Sequence, residues 1–291
     1  MSDTTADREP LITPEWLAAH LADADLLIID IRSVVDGGAR AAYEAAHIPG
    51  AIHTDYARDG WRATKGMAAG LLPEPDALTH LLGGLGLTPR HHAIFVSAGT
   101  TVGDFSAAAR VYWTLKTAGH ARVSILAGGM TGWRCDPARP IETGAGRAPV
   151  AGATYPLEPV AALRAELDDV KAAVANKSAV LLDSRAANYF AGAAKSPQVA
   201  RPGRLPGAAL LDHAAAFDAD AKALKPKAEL ARLFANVPAK PVINYCNTGH
   251  QAATNWFVLS EVLGRPGVSL YDGSLSQWAE DETRAVETGE T

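Results

Sequence analysis

Short apolar runs alternate with longer segments of helical periodicity through the whole chain. The predicted strands lie at residues 26–30, 93–96, 123–126, 179–182, 241–245 and 268–271. The predicted helices lie at about 106–118, 166–175 and 252–263. Continuous apolar strands separated by helices are typical of a mostly parallel sheet with helices on both faces. The predicted fold class is therefore α/β, built twice.

Three short motifs recur in the same order in the two halves of the chain. Asp30-Ile31-Arg32 recurs as Asp183-Ser184-Arg185. The second pair is His47-Ile48-Pro49-Gly50-Ala51 with Arg204-Leu205-Pro206-Gly207-Ala208. The third is Leu126-Ala127-Gly128-Gly129 ahead of Trp133 with Tyr271-Asp272-Gly273-Ser274 ahead of Trp278. One match of this kind arises easily by chance, whereas three in register indicate a duplication.

A stretch rich in proline and glycine, at residues 137–149, separates the two copies. Proline restricts the residue before it, and glycine interrupts helical patterns, so this stretch is interpreted as a linker. We place the predicted boundary near Gly146, which gives a first domain of residues 1–145 and a second of residues 146–291.

The composition and charge of the chain exclude several classes of protein. The chain has 291 residues, with 27 Lys and Arg against 32 Asp and Glu and a formal net charge of −5. Nucleic acid is not an expected partner, because phosphates call for a basic surface. No apolar run approaches the roughly 18 residues of a membrane span, and the polar start has no apolar signal core. Only two cysteines occur, which excludes a disulfide framework and indicates the cytoplasm.

One of the cysteines follows a predicted strand directly, at the place where parallel sheets bind ligands. Gly249 lets the backbone turn so that successive N–H groups form an anion-binding nest, and the helix start adds positive potential. Both effects favour a thiolate, so Cys246 is the candidate nucleophile. The candidate active-site loop continues through Asn247, Thr248, Gly249, His250 and Gln251. His250 either strengthens the positive potential of this loop or points outward from it.

The matching segment of the first half, residues 97–104, is expected to be a longer loop and contains no cysteine. A serine nucleophile such as Ser97 needs a general base, and the segment offers none. The first domain is therefore expected to be inactive. Cys135 lies next to the linker, without a nest or a helix start, and is interpreted as a structural residue.

Taken together, these motifs resemble those of tandem rhodanese-like sulfurtransferases, the group that contains thiosulfate and 3-mercaptopyruvate sulfurtransferases. The resemblance covers about residues 10 to 285. It implies an inactive first domain, a catalytic second domain and no metal or organic cofactor. It also implies a ping-pong reaction, in which the Cys246 thiolate takes a sulfane sulfur from a small donor and holds it as a persulfide. A thiophilic acceptor such as cyanide or a thiol then removes that sulfur.

The chain departs from its relatives in the residues expected to bind the donor. Asn247 and Thr248 stand where thiosulfate-type relatives tend to have basic residues. Mercaptopyruvate-type relatives tend to have Gly and then Ser or Thr there, a pattern that Thr248 fits and Asn247 does not. Thr248 and the non-basic loop favour 3-mercaptopyruvate as the donor. Asn188 replaces an arginine that usually precedes the aromatic residue after the Asp-Ser-Arg motif. The basic residues that could supply the missing charge are Lys195, Arg201 and Arg204. Asp183 and Arg185 are expected to support the active-site loop structurally.

Two other functions are alternatives to sulfur transfer. Phosphatases and arsenate reductases that share this fold clamp the phosphoryl group with an arginine six positions after the cysteine. Ala252 occupies that position here, which argues against such an enzyme. The second alternative is a non-catalytic sulfur-relay or redox interaction module, and the sequence leaves it open.

Overall fold

The computed structural model describes residues 9–36 and 38–289 of the chain. Met1–Arg8, most of the polar start that argued against a secretory signal, lies outside the described residues. The chain folds as two compact units. One contains the residues up to Trp61, together with Pro73–Pro159 and Ala219–Ala223. The other contains Arg62–Leu72, Val160–Asp218 and the residues from Leu224 onward.

Strands and helices alternate through both units. The strands are β1 (Leu11–Ile12), β2 (Leu26–Asp30), β3 (Ile52–His53), β4 (Ala63–Lys65), β5 (Ala68–Leu71), β6 (His92–Val96), β7 (Val123–Leu126), β8 (Val180–Asp183), β9 (Ala209–Leu210), β10 (Phe217–Asp218), β11 (Ala223–Leu224), β12 (Val242–Tyr245) and β13 (Val268–Leu270). The helices are α1 (Pro14–His20), α2 (Ala39–Ala45), α3 (Pro75–Gly84), α4 (Val102–Thr117), α5 (Gly129–Arg134), α6 (Leu167–Asn176), α7 (Ala187–Phe190), α8 (Lys227–Leu233), α9 (Gln251–Phe257) and α10 (Ser274–Trp278). A π-helical turn at Val258–Val262 continues α9. Within the described ranges, no helix combines the length and apolar character needed to cross a bilayer.

The first unit is built on a five-stranded parallel sheet in the order β1-β7-β6-β2-β3. Strands β6 and β7 are buried along their whole length, as expected for a parallel sheet with both faces covered. Apolar side chains from these strands pack with those of the helices, and Ile94, Leu126 and Trp133 belong to one buried cluster. Burial of this apolar surface is the main favourable term in forming the unit.

Helix α4 begins at Val102, four positions before the predicted start at about 106. The Thr101 side chain accepts the Asp104 N–H, and the Asp104 carboxylate accepts the Thr101 N–H at 3.2 Å. This reciprocal capping box satisfies donors that the first turn of a helix otherwise leaves unpaired. The polar capping residues Thr101 and Asp104 therefore determine where the helix begins, and the periodic apolar positions start only later.

The second unit contains a four-stranded parallel sheet in the order β13-β12-β8-β9. Strand β12 is central, and its last residue, Tyr245, pairs with Asp183 at the end of β8. Leu181, Ile243 and Leu275 lie in the buried cluster of this unit. In both units, the strands of a parallel sheet alternate with helices along the chain, which confirms the predicted α/β fold.

A β-hairpin from the first half of the sequence belongs to the second unit. Strands β4 and β5 pair antiparallel within Arg62–Leu72. The Ala69 N–H and carbonyl each lie 3.2 Å from Ser276 Oγ in α10, and the Leu72 N–H donates to Asp272 at 2.6 Å. These hydrogen bonds hold β5 against α10, although the two are about 200 residues apart in the chain.

The segment from 146 to 159 packs on the first unit. The N–H groups of Val150, Tyr155 and Glu158 donate to carbonyls of that unit at 2.7 to 3.0 Å. The approach is close enough that a Cβ added to Gly83 would lie 2.3 Å from the Ala153 carbonyl oxygen. The packing therefore changes from one unit to the other at Val160, later in the chain than the predicted domain boundary near Gly146.

His120 helps to fasten this segment. Its imidazole is 1% exposed, with Nε2 at 3.0 Å from the Arg122 carbonyl and Nδ1 at 2.9 Å from the Tyr155 hydroxyl. The carbonyl requires a proton on Nε2, so a neutral ring accepts the tyrosine hydrogen bond at Nδ1. Burial lowers the pKa of His120 from 6.5 to about 4, because the charged form loses hydration.

Replacing His120 with glutamine should weaken the dependence of the free energy of unfolding on pH at acid pH. A pKa that is depressed in the folded state means that the neutral ring contributes fully above pH 6.5, and that this contribution is lost as the pH falls towards 4. Between these pH values the wild-type free energy of unfolding should drop by up to about 3 kcal/mol more than that of His120→Gln. Urea unfolding followed by tryptophan fluorescence measures both profiles. Parallel profiles for the two proteins would contradict this assignment.

Candidate active site

Cys246 stands at the carboxyl end of the central strand β12. Residues 246–250 form the loop between this strand and α9, so the cysteine takes the first position after the sheet. Cys246 is 1% exposed and is not part of a disulfide. The surrounding protein shields the thiol from bulk water, and charge–dipole interactions there are stronger than at the surface.

The hydroxyl of Ser274 is the hub of the loop. Ser274 Oγ accepts the N–H of Cys246 at 3.1 Å and the N–H of Gly249 at 3.0 Å. It also donates to the Tyr271 carbonyl at 2.7 Å. Ser274 has a φ of +49°, a left-handed conformation that is unfavourable for a residue with a side chain. The hydrogen bonds of the Ser274 hydroxyl with two backbone amides of the loop offset this conformational free energy.

The carbonyls of the loop also point to α10. The Cys246 carbonyl accepts the Leu275 N–H at 3.1 Å, and the Asn247 carbonyl accepts the Ser276 N–H at 3.0 Å. In a trans peptide the N–H points opposite to the C=O. The N–H groups of Asn247 and Thr248 therefore point away from α10, where they remain available to an anion.

Gly249 makes the turn that the sequence predicted. Its φ is +70°, and a Cβ at this position would lie 2.7 Å from the Asp272 carbonyl oxygen. The Gly249 N–H donates to Ser274 Oγ. Fewer than five N–H groups of residues 247–251 are therefore available to an anion. Within residues 9–36 and 38–289, the N–H groups of Asn247, Thr248 and Gln251 have no hydrogen-bond acceptor.

Arg185 and Asp183 support this loop from the neighbouring strand. The guanidinium donates to both carboxylate oxygens, with Nε at 2.9 Å and Nη2 at 2.5 Å, and both side chains are buried. Its Nη1 lies 3.3 Å from Asn247 Oδ1, and its Nη2 lies 2.8 Å from the Gly203 carbonyl. Burial alone would lower the pKa of Arg185, but the hydrogen bonds and charge of Asp183 raise it overall. The arginine therefore stays charged while it braces the loop through the Asn247 side chain.

The first unit repeats this frame without a cysteine. Asp30 binds Arg32 in the same way, with Nη2 at 2.8 Å, but this arginine donates to the carbonyls of Ala42 in α2 and of Ala46 directly after it. Ser97 takes the position of Cys246, because its carbonyl accepts the Met130 N–H of α5 at 2.8 Å. Gly129, with a φ of +53°, stands where the second unit has Ser274. The loop at 97–101 is as long as the loop at 246–250, so the expectation of a longer first-half loop was wrong.

The four residues suggested for donor binding have other contacts in the structure. Arg201 donates to three carbonyls between positions 279 and 284, at 2.8 to 3.2 Å. Arg204 donates to the Gly289 carbonyl at 2.8 Å and lies 3.4 Å from the Glu287 carboxylate. Lys195 Nζ donates to the Val199 carbonyl at 2.8 Å, and the exposed Asn188 accepts the Tyr189 N–H. The two arginines thus fasten the C-terminal segment, and contact of all four residues with the donor stays a prediction.

The two remaining residues of interest differ in exposure. His250 is half-buried and directly precedes α9, and its part in the chemistry stays a hypothesis. Cys135 is exposed, and its thiol donates to the Thr131 carbonyl at 3.4 Å. It is therefore not the packed apolar residue that a structural interpretation implies.

Several residues that shape the site were given no site role by the sequence motifs, although Asp272 and Ser274 both lie in the repeated motif ahead of Trp278. Asp272 is 1% exposed and binds the guanidinium of Arg164 at 3.2 Å as well as the hairpin. Arg62 donates from Nη2 to the hydroxyl of Thr248 at 3.0 Å. Ser274 could have been found by its place in the repeated motif, opposite Gly129. Arg62 carried no such signal, since it lies in a polar segment of the other half of the chain.

Comparison with known families agrees with this geometry. The family described as "Rhodanese-like domain" matches residues 13–135 and 166–281, once in each half. The chain belongs to the rhodanese family. The resemblance stated from the sequence motifs is thereby confirmed.

Among curated rhodanese relatives, a probable 3-mercaptopyruvate sulfurtransferase of Pseudomonas aeruginosa is 32% identical over 96% of this chain and 98% of its own length. A putative thiosulfate sulfurtransferase of Mycobacterium tuberculosis is 29% identical, with the same coverage of both chains. The crystal structure of SseA from Escherichia coli, described with 3-mercaptopyruvate sulfotransferases, is 28% identical, with a TM-score of 0.75 over 91% of this chain and 98% of that one. The present chain is a sulfurtransferase, the enzyme class that the sequence predicted.

The Ser274 hub can be tested with a pair of substitutions. Ser274→Ala leaves two buried N–H groups without an acceptor and keeps a Cβ at positive φ, so it should destabilise the fold by about 2–4 kcal/mol. Ser274→Gly also loses the hydroxyl but relieves the left-handed strain, and should be more stable than the alanine variant by about 1 kcal/mol. Urea unfolding measures both. An alanine variant that unfolds at the wild-type urea concentration would argue against the hub.

The two cysteines should differ in reactivity according to their exposure. A bulky maleimide should label Cys135 in the native protein and leave Cys246 unmodified, because only the first thiol reaches the surface. Mass spectrometry should show one label on the wild type and none on Cys135→Ser, with a label at Cys246 appearing in urea. Rapid native labelling of Cys135→Ser would show that Cys246 is more open than the structure indicates.

Proposed function

We propose that this sulfurtransferase moves a sulfane sulfur from a small anionic donor to a thiophilic acceptor through a persulfide on Cys246. The observation that carries the proposal is the placement of this thiol in a loop whose first two carbonyls, and whose Cys246 and Gly249 amides, are turned to α10. Unpaired amides of the same loop are left for an anion. Relatives named for 3-mercaptopyruvate and for thiosulfate support the donor class.

The first half-reaction loads the enzyme. The Cys246 thiolate attacks the sulfane sulfur of thiosulfate, a new S–S bond forms, the donor S–S bond breaks, and sulfite leaves with the electron pair. With 3-mercaptopyruvate, the donor C–S bond breaks instead. The electron pair then goes to the carbon, which takes up the thiol proton of the donor and leaves as pyruvate. In both cases the product is the Cys246 persulfide anion.

The loop amides stabilise this anion. Charge moves from the Cys246 sulfur to the outer sulfur and the leaving group, and donors that are already oriented reduce the cost of that change. Burial strengthens the effect, because few water molecules compete for the charge. The N–H groups of Asn247, Thr248 and Gln251 are the amides that can serve in this way.

The second half-reaction returns the enzyme to its starting state. Cyanide or a thiolate attacks the outer sulfur, the persulfide S–S bond breaks, and the electron pair returns to Cys246. With cyanide the product is thiocyanate. The rates depend on the nucleophile and on the acidity of the leaving thiol, as in thiol–disulfide exchange. A reducing cytoplasm would keep Cys246 reduced between turnovers.

Of the two donors, the loop favours 3-mercaptopyruvate. Asn247 and Thr248 add no charge next to the cysteine, and the positive charge of Arg185 is balanced by Asp183. A monoanionic donor needs less compensating charge than the dianionic thiosulfate. The buried Ala252 stands where a phosphatase of this fold requires its arginine, so phosphoryl transfer has no clamp here.

Substituting the nucleophile tests the proposal. Cys246→Ser and Cys246→Ala should abolish transfer of sulfur from either donor to cyanide, because no thiolate remains to hold it. Cys135→Ser should retain wild-type turnover. Intact-mass measurement after donor treatment should show a gain of about 32 Da (one sulfur) in the wild type and in Cys135→Ser, but not in the Cys246 variants. Full activity of Cys246→Ser would overturn the proposal, and transfer only from a protein donor would favour a sulfur-relay module.

A further inference from the structure

His213 lies at the same edge of the second unit's sheet as Cys246. Tyr245 at the end of β12 pairs with Asp183 at the end of β8, and Asp183 pairs with Leu210 in β9. Neighbouring strands are about 4.8 Å apart, so the chain that leaves β9 runs about 10 Å from the chain at Cys246. Side chains that reach in from these two positions can therefore meet the same small donor.

Hydrogen bonds fix the His213 ring at the end of β8. Its Nδ1 lies 3.0 Å from the Ser184 carbonyl and 3.1 Å from Asp212 Oδ1. Because a carbonyl only accepts, the proton of the neutral ring is on Nδ1, and Nε2 carries the lone pair. Nε2 has no hydrogen-bond partner within the part of the chain that the structure describes. His213 is therefore a base that a third group, the Asp212 carboxylate, orients.

Helix α9 ties the histidine segment to the active-site loop. The short helical turn His213–Ala216 packs against α9, which begins directly after that loop. In α9, the buried Asn255 side chain donates to Ser184 Oγ at 2.9 Å and to the Leu211 carbonyl at 2.7 Å. One amide group thus joins the residues that follow β8 and β9 to the helix that starts beside Cys246.

The surroundings of His213 determine its charge. The residue is 6% exposed, and the loss of hydration lowers its pKa, whereas the charge of Asp212 raises it in part. Helix α9 has no charged side chain, and the half-buried His250 directly precedes it. The charged side chains on the other elements that pack against the turn are the exposed Lys227, Glu229 and Arg232 of α8 and the half-buried Asp218 of β10. The ring is therefore neutral, and able to accept a proton, at neutral pH.

We infer that His213 takes the thiol proton of 3-mercaptopyruvate and gives it to the carbon that leaves as pyruvate. This inference rests on the proposed function and adds a proton-transfer residue for one of the two donors. The Nε2 lone pair accepts the proton of the donor S–H while the Cys246 thiolate forms the new S–S bond and the donor C–S bond breaks. The electron pair of that C–S bond goes to the carbon, which then takes the proton from Nε2. The ring ends neutral, and the sulfur stays on Cys246 as the persulfide anion.

The two donors differ in their need for this residue, because thiosulfate releases sulfite without any proton transfer. His213→Gln keeps an amide donor for the Ser184 carbonyl but removes the base. The saturated rate of persulfide loading from 3-mercaptopyruvate should fall about 100-fold, and the rate from thiosulfate should fall by a few-fold at most. The control His80→Gln, the same change at an exposed histidine of α3, should load from both donors as the wild type does. Rapid quenching with intact-mass detection of the added sulfur measures these rates.

A pH profile separates proton transfer from a structural role. The ratio of the loading rate from 3-mercaptopyruvate to that from thiosulfate cancels the ionisation of Cys246, which both donors share. In the wild type this ratio should fall as the pH is lowered from about 7 to about 5, because a protonated His213 accepts no further proton. In His213→Gln the ratio should stay constant. Asp212→Asn keeps an oxygen to accept the Ala214 N–H but removes the charge that raises the pKa of His213, so the fall should move to lower pH.

The outcomes distinguish this inference from the proposed function. If the wild type gains no sulfur from either donor, the proposed function fails. If it loads from thiosulfate alone, or if His213→Gln keeps the wild-type ratio of rates at every pH, the inference fails and the function stands. Equal losses with both donors would also overturn it, because His213 would then only support the loop. If His213→Gln fails to fold, Asp212→Asn decides, and an unshifted profile overturns the inference.

Discussion

Hydrogen bonds between the active-site loop and the first turn of α10 are the constraint on which the rest of the site depends. They take up the carbonyls of Cys246 and Asn247 and, through the Ser274 hydroxyl, the amides of Cys246 and Gly249. Because each peptide is planar and trans, fixing its carbonyl also fixes the direction of its N–H. The N–H groups of Asn247 and Thr248 therefore point away from α10 before any ligand binds, and the proposed persulfide charge would meet donors that are already oriented.

The loop after the Asp-x-Arg strand frame is built alike in the two units and differs at a few side chains. Both place an Asp-x-Arg ion pair at a strand end and tie the following loop to a short helix. In the first unit the key positions are Ser97 and Gly129, whereas in the second they are Cys246 and Ser274. The cysteine is the proposed nucleophile, which needs no adjacent base, and the serine supplies a hydroxyl that fixes the loop. The frame is shared, and the chemistry depends on a few side chains.

Buried charge in the second unit is mostly balanced by its own partners. Asp183 neutralises Arg185, and Asp272 is bound by Arg164 and by the Leu72 amide. Such pairs stabilise the site only when every partner is present, because an unpaired buried charge is costly.

The local sequence by itself predicts much of the fold and part of the candidate site. Apolar runs and helical periodicity determined two α/β units, and the place of Cys246 directly after a strand made it the predicted nucleophile, because both are properties of neighbouring residues. Gly249 was also foreseen, since a tight turn needs a residue without a side chain. By contrast, only the tertiary structure assigned Arg62–Leu72 to the second unit, showed Ser274 as the hub, and engaged Arg201 and Arg204 in the C-terminal segment. Each of these outcomes depends on partners far apart in the chain, and pairings of that kind leave no periodic signal in a single sequence.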